Sequence, residues 1–499
     1  MSQNDKTEPM NLLFIFSDHH SREKMGCYGN PHIHTPNLDA LAENGTRFSS
    51  AYCTNPICVP SRASMNIGDY CFNGYSYWDN AHPYIGKEEG WGHRLVQQGY
   101  QVTTIGKLHF KEDSPLTGFP DQRIPLHVRD GIGDITHTIR DGTFNRSFLR
   151  DAMLNANEGD SEYLAYDAKI GDMAVDFLKN EAPNKSEKPW CLFLGFVCPH
   201  FPLIAPKEIL DMYRPFEKLP FPKQWGLDER PMHEVLERLR EEFAFNDPAI
   251  TEDDVRRAVA VYYSMVTYMD MQVGRVLQAL KEAGLSGNTR IIYTTDHGDT
   301  VGDHGLFFKH TMYEGAVGVP LVISGPDIPK GKVVDKAVSL IDIFPTVLEC
   351  MGAKPKPEDE KLPGISLLRY LRDENIEDRP ILADYHAIGI EYATFMLRYK
   401  DYKLIYYVNS YPQLFCLAND PDELNDLAAN PDYSDVLADM EKRLREICDP
   451  EAVDERAKRE QAETLESHGG KEAVSKHKVL VYSPTPEFNG TKTSSCVKK

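Results

Sequence analysis

Short apolar runs alternate with helical repeats through the first three-quarters of the chain. Leu12–Ser17 (LLFIFS) and Cys191–Val197 (CLFLGFV) are strand-length apolar runs, the first read as a buried strand. Thr35-Pro36-Asn37-Leu38 offers an N-cap and a proline at the first helical position, with Gly45 closing that short helix. The clearest long helix covers 252–284. There Ala258, Val261, Tyr262, Met265, Met269, Val273, Val276, Leu277 and Leu280 recur at helical spacing, and Gly284 ends it. Ile291–Thr294 and Pro320–Ile323 follow as strands. This alternation predicts an α/β fold whose large, mostly parallel sheet is flanked by helices.

The texture changes near residue 375. RDENIEDRP (372–380) is charged, unpatterned and ends in proline, as a linker would. Ala393–Tyr407 and Gln413–Leu417 then read as antiparallel strands, and Tyr433–Cys448 as an amphipathic helix. The expected organisation is a catalytic domain over 1–375, a small C-terminal α+β domain over 376–470 and a tail over 471–499. KVLVYS (478–483) is either an arm pairing with another subunit or part of a frayed terminus. Residues 111–165 carry His127, Arg129, His137, Arg140 and Arg146 in a weakly patterned stretch. It reads as an insertion that recognises substrate or as a solvated loop.

The 499 residues are 41% hydrophobic and 26% charged, a globular composition. The net charge of −21 disfavours non-specific attraction to nucleic acid or anionic membranes, so neither is an expected partner. No run approaches the roughly 18 apolar residues of a membrane span. MSQNDKTEPM lacks the basic and apolar regions of a signal peptide, which places the chain in the cytoplasm by expectation. The ten cysteines form no CxxC pair, so free thiols are expected and a structural zinc site is not.

Polar residues crowd three places. Ser17-Asp18-His19-His20 follows the first strand, Thr295-Asp296-His297-Gly298-Asp299 follows a later one, and Cys58-Val59-Pro60-Ser61-Arg62 opens a helix. Loops at the carboxyl ends of parallel strands share one crevice, so Asp18 and Asp296 are expected to face each other. Two carboxylates and an imidazole suit a divalent cation. A helix beginning near Pro60 would aim its positive dipole end at residue 58.

The order of motifs carries more weight than any one of them. Cys58-x-Pro60-Ser61-Arg62, Gly106-Lys107-Leu108-His109, Pro199-His200-Phe201-Pro202, Thr295-Asp296-His297-Gly298 and Lys309 together resemble the type I sulfatases. These are the formylglycine-dependent branch of the alkaline phosphatase superfamily. The resemblance spans about residues 11–326, and more loosely the C-terminal domain. It implies an alkaline phosphatase-like fold and hydrolysis of a small sulfate ester. It also implies that a formylglycine-generating enzyme oxidises Cys58 to formylglycine (3-oxoalanine). One hydroxyl of the hydrated aldehyde would attack sulfur, and the other would expel sulfate. Asp18, Asp296 and His297 match metal ligands, with the residue at Cys58 completing the shell. Ca2+ is the expected metal, and Mg2+ or Mn2+ are alternatives. Arg62 would hold the formylglycine oxygen. Lys107 and Lys309 would bind sulfate, His109 would take a proton during collapse, and His200 would bind substrate and protonate the leaving alcohol.

Two departures stand out. Many relatives carry Asp-Asp or Asp-Gln where this chain has Asp18-His19, and many carry an arginine at the place of Gly318. The rival readings are a phosphonate monoester or phosphodiester hydrolase of the same superfamily, and a non-catalytic binder of sulfated ligands. Lys107 and His109 favour sulfate over phosphonate. A homo-oligomer through the C-terminal arm is also expected.

Overall fold

The computed structural model describes residues 8–142, 144–184, 188–373, 375–476 and 482–488. Its main sheet has eight strands: β1 (Asn11–Ser17), β2 (Gly45–Phe48), β3 (Gln101–Lys107), β4 (Asp121–Leu126), β5 (Trp190–Gly195), β6 (Thr289–Thr295), β7 (Val322–Ser324) and β8 (Lys332–Val334). Their spatial order is β8-β2-β7-β6-β1-β5-β3-β4. Only β7 runs antiparallel to its neighbours; the other pairings are parallel. In the middle of the sheet Phe14 sits beside Phe193 on one side and Ile292 on the other. Strands β1, β5 and β6 are buried along their whole length, and β1 and β5 are accordingly apolar rather than alternating.

Two groups of helices flank the sheet. Helices α1 (Pro36–Glu43) and α4 (Glu162–Asp176) pack on the long α5 (Glu252–Glu282). Helices α2 (Cys58–Ile67) and α3 (Trp91–Gln97) pack on α6 (Ile343–Met351). Helix α5 starts with a capping box, Thr251 and Asp254 exchanging side-chain and backbone bonds, and Ala283 and Gly284 end it. Helix α1 begins at Pro36 as expected, but Thr35 does not cap it through its side chain. The Thr35 hydroxyl instead accepts from the Gly26 amide and donates to Asp39, while Asp270 receives the Leu38 amide. Asn44 closes that helix, and Gly45 opens β2 rather than ending α1.

A smaller antiparallel sheet follows in chain order: β9 (Ile381–Tyr385), β10 (Thr394–Tyr399), β11 (Tyr402–Tyr407) and β12 (Gln413–Cys416). Helix α7 (Ser434–Ile447) packs on it, and α8 (Pro450–Ser467) comes next. The Asp384 amide donates to Thr54 O, and Asn55 donates to Asp384 O, tying β9 to the loop before α2. Within 111–165, residues 121–126 are a sheet strand rather than part of a free loop. Residues 478–481 of the strand-like tail run lie outside the described residues. Tyr482 and Ser483 pack against this chain's own Tyr163. All nine described cysteines are free thiols, and no described helix is long and apolar enough to cross a membrane.

Candidate active site

The parallel strands β1, β3, β5 and β6 end at one edge of the sheet, and each delivers polar residues there. Asp18 follows β1, Lys107 ends β3 with His109 just beyond, His200 follows β5, and Asp296 and His297 follow β6. Gly106 has φ +101, and a Cβ there would stand 2.4 Å from Gly195 O, so the Gly-Lys-Leu-His motif requires its glycine. Helix α2 begins at Cys58 itself, two residues earlier than expected. The thiol therefore sits in the first turn, at the positive end of the helix dipole.

Asp18, Cys58, Asp296 and His297 each place one ligand atom within 4.8 Å of the others, and all four are fully buried. His297 Nδ1 donates to Gly298 O, which turns the lone pair of Nε2 toward the cluster, 3.3 Å from Cys58 Sγ. Arg62 Nε donates to Asp296 at 2.8 Å and Nη2 to Asp18 at 2.8 Å, while Nη1 donates to Lys107 O. Its donors thus hold the two carboxylates rather than the nucleophile. Lys107 Nζ lies 2.6 Å from Asp18 Oδ2. The opposite oxygen of each carboxylate stays turned to the cluster. Two carboxylates and one oriented imidazole fit a divalent cation, and the nitrogen donor admits Mn2+ beside Ca2+ and Mg2+.

Burial pushes the Asp18 carboxyl up, but Lys107, His200 and Arg62 outweigh it and hold the group well below the usual carboxylate range. The Cys58 thiol is pushed up to about 11 by burial and then by Asp18, against the pull of Lys309 and Lys107. Burial, with the nearby lysines, also holds His109 and His200 well below the ordinary imidazole value.

Lys107, His109, His200 and Lys309 line one narrow cavity of about 60 Å³ above the buried cluster. Lys309 Nζ donates to Cys58 Sγ at 3.1 Å. His200 Nδ1 donates to Phe201 O at 2.6 Å, leaving Nε2 for a ligand. Asp167 on α4 accepts from the Val197 and Cys198 amides, both at 2.8 Å, and so anchors the turn that carries His200. A larger cleft of about 670 Å³ surrounds Arg22, Tyr52 and Arg398 and contains none of these residues.

Several contributors escaped the sequence reading. His19, which the sequence leaves open between coordinating a metal and supporting a ligand, has Nε2 accepting from Lys309 at 2.6 Å while Nδ1 faces Asp299 at 3.4 Å. Asp299 thereby orients His19, and His19 orients Lys309. Asp134, Tyr482 and Ser483 also line the cavity, with Ser483 Oγ 3.2 Å from His109 Nε2. Of His127, Arg129, His137, Arg140 and Arg146, Arg129 and His137 reach the cavity. His127 meets Gln122, while Arg140 pairs with Asp454 and Arg146 with Glu242. At Gly318 a Cβ would stand 3.2 Å from the Arg22 guanidinium, which pairs with the buried Glu314. Arg22 therefore occupies the space beside Gly318.

Comparison with known proteins identifies the family. The sulfatase family model matches residues 10–353, and the N-sulphoglucosamine sulphohydrolase C-terminal model matches 302–449. The chain is 30% identical to a choline-sulfatase of Rhizobium meliloti (strain 1021) over 407 residues, covering 80% of this chain and 78% of that one. It is 30% identical to an arylsulfatase of Clostridium perfringens (strain 13 / Type A) over 468 residues, covering 87% and 93%. Among solved structures, a phosphonate monoester hydrolase from Silicibacter pomeroyi superposes with TM-score 0.70 at 24% identity, covering 88% of this chain and 94% of that one. A protein solved with its substrate D-glucosamine-2-N,6-O-disulfate does so with TM-score 0.70 at 23% identity, covering 88% and 97%. The family match over most of the chain, on an alkaline phosphatase-like fold with these motifs at its strand ends, makes this protein an enzyme of the sulfatase family, which hydrolyses sulfate esters.

Proposed function

We propose that this enzyme releases inorganic sulfate from a small organic sulfate ester, with the residue at Cys58 as nucleophile after conversion to formylglycine. The observation that carries the reading is the convergence of Asp18, Cys58, Asp296 and His297 beneath a cavity lined by Lys107, His109, His200 and Lys309. The converted residue would supply two hydroxyls on one carbon, one to attack sulfur and one to release sulfate. Asp18, Asp296 and His297 would hold a divalent cation; when bound, it would neutralise a sulfate oxygen and acidify the attacking hydroxyl.

The side chains divide the remaining work. Lys107 and Lys309 place two ammonium groups where sulfate oxygens gain charge in the transition state. Arg62 fixes Asp18 and Asp296 in place. His200 points Nε2 into the cavity, and the negative charge of a bound sulfate favours the protonated form that donates to the leaving oxygen. His109 accepts the proton lost as the sulfated intermediate collapses. A formylglycine-generating enzyme is the partner this reading requires.

Peptide mass analysis of the segment containing Cys58 tests the nucleophile. The expected product has oxygen in place of sulfur and two hydrogens fewer. An unmodified thiol in active protein from a host with the maturing enzyme overturns the mechanism. Turnover of sulfate and phosphonate esters of one leaving group tests the reaction. Sulfate is expected to lead, and a clear preference for phosphonate establishes the rival activity.

A further inference from the structure

Two residues of the cavity wall have buried polar atoms that the proposed chemistry leaves unused. Asp134 caps the short 3-10 turn Ile135–Thr138, and its Oδ1 accepts from the Thr136 amide at 2.9 Å and the Thr136 hydroxyl at 2.7 Å. Its other oxygen, Oδ2, is buried and accepts no hydrogen bond. His137, 8% exposed, stands beside it with Nε2 4.0 Å from that oxygen, beyond hydrogen-bond reach. His137 Nδ1 is likewise buried without a partner. Both residues line the cavity that holds Lys107, His109, His200 and Lys309.

Leaving a buried carboxylate oxygen and an imidazole nitrogen unpaired is costly, and the cost is recovered when a ligand supplies the missing partners. Sulfate cannot do so at Asp134, because its oxygens only accept hydrogen bonds. The alcohol half of the ester is the part that meets this wall. Asp134 is the sole carboxylate among the described residues lining the cavity, and Arg129 lines it too. A cationic leaving group would satisfy Asp134 but would sit among Arg129, Lys107 and Lys309. A hydroxyl meets both demands, since it donates to a carboxylate and accepts from a cation or imidazole. Burial pushes the His137 imidazole down, which keeps it neutral and able to accept or donate.

Resting on the sulfatase reading above, we propose that Asp134 and His137 form a leaving-group subsite for a hydroxylated alcohol, of the monosaccharide or polyol class. A substrate hydroxyl donates to Asp134 Oδ2, and His137 shares the same or a neighbouring hydroxyl. Simple aryl leaving groups offer no such donor, and a quaternary ammonium has no hydrogen to give.

The test compares kcat/KM for galactose 6-sulfate, 4-nitrophenyl sulfate and choline sulfate in wild-type protein and Asp134→Asn, each with Cys58 conversion verified. Asparagine retains the acceptor that caps the turn, so the fold is preserved. Wild type is expected to favour galactose 6-sulfate. Asp134→Asn is expected to lower the galactose-to-nitrophenyl ratio by about 10- to 100-fold, the worth of a hydrogen bond to a charged group. His137→Phe, which leaves the cap untouched, is expected to lower the same ratio. An unchanged ratio in both variants overturns this inference alone. A wild-type preference for choline sulfate that Asp134→Asn abolishes also overturns it, because the carboxylate then reads a cation. Release of sulfate from none of the three esters by converted protein overturns the sulfatase reading and this inference with it.

Discussion

Replacing Lys309 with methionine separates the chemistry of the site from the stability of the fold. Lys309 is 5% exposed and has no carboxylate within 4.0 Å among the described residues. Its contacts are Cys58 Sγ and His19 Nε2, neither of which carries a full negative charge. A buried ammonium without a counter-charge burdens the folded state, and methionine fills a similar volume without that burden. The thermal midpoint of Lys309→Met should therefore stay level or rise. Activity should respond oppositely. Losing one charged donor aimed at developing negative charge costs about 2.7–4 kcal/mol, or roughly 10²- to 10³-fold in kcat/KM. The assay pairs steady-state hydrolysis of an aryl sulfate with scanning calorimetry, on samples matched for Cys58 conversion. A midpoint several degrees lower, with less than about tenfold loss of kcat/KM, would refute the reasoning. Lys309 would then be a structural lysine.

Other perturbations probe the surroundings of the site. The Asp167 carboxyl is pushed up by burial from 3.8 to about 6, so the folded chain holds its proton more tightly than the unfolded chain. That group lowers stability as pH rises from about 4 to about 6. Asp167→Asn should flatten this slope, as melting across that window would show; an unchanged slope contradicts the assignment. Tyr482→Ala removes a ring packed on Tyr163 at the cavity and should raise KM about three- to tenfold with little change in kcat. Steady-state kinetics would reveal instead a kcat loss at constant KM if the residue acted on the chemistry. Gly318→Ala forces a Cβ to 2.6 Å from Glu314 O and 3.2 Å from the Arg22 guanidinium. Urea denaturation should show a loss of about 1–3 kcal/mol, and equal stability would mean that this contact relaxes freely.

The parts of the site visible in the sequence are those whose spacing is local. Cys58 and Arg62 share one helix, and Lys107 and His109 share one strand end, so each pair is a short motif. The meeting of Asp18 with Asp296 followed from two buried strands in a parallel sheet, whose carboxyl ends must share an edge. Elements without a hydrophobic signature escaped. Helix α8 is largely polar, and its order rests on the Asp449 cap, Pro450 and pairs such as Arg456–Glu460. Strand β9 is a short run directly behind a charged stretch.

What the chain by itself determined was therefore the layered fold, the order of strand ends and the inventory of reactive side chains. Packing decided which partner each group received. Arg62 is drawn to Asp18 and Asp296 because all three are buried together, where an unpaired charge is most costly. Asp299, His19 and Lys309 form a relay across two loops, and no sequence spacing encodes it. Asp134 and His137 reach the cavity from a segment with no periodic pattern, because a loop's path is set by the surfaces it packs on. Ser483 comes within 3.2 Å of His109 from the far end of the chain, a contact between residues that only the closed tertiary structure brings together.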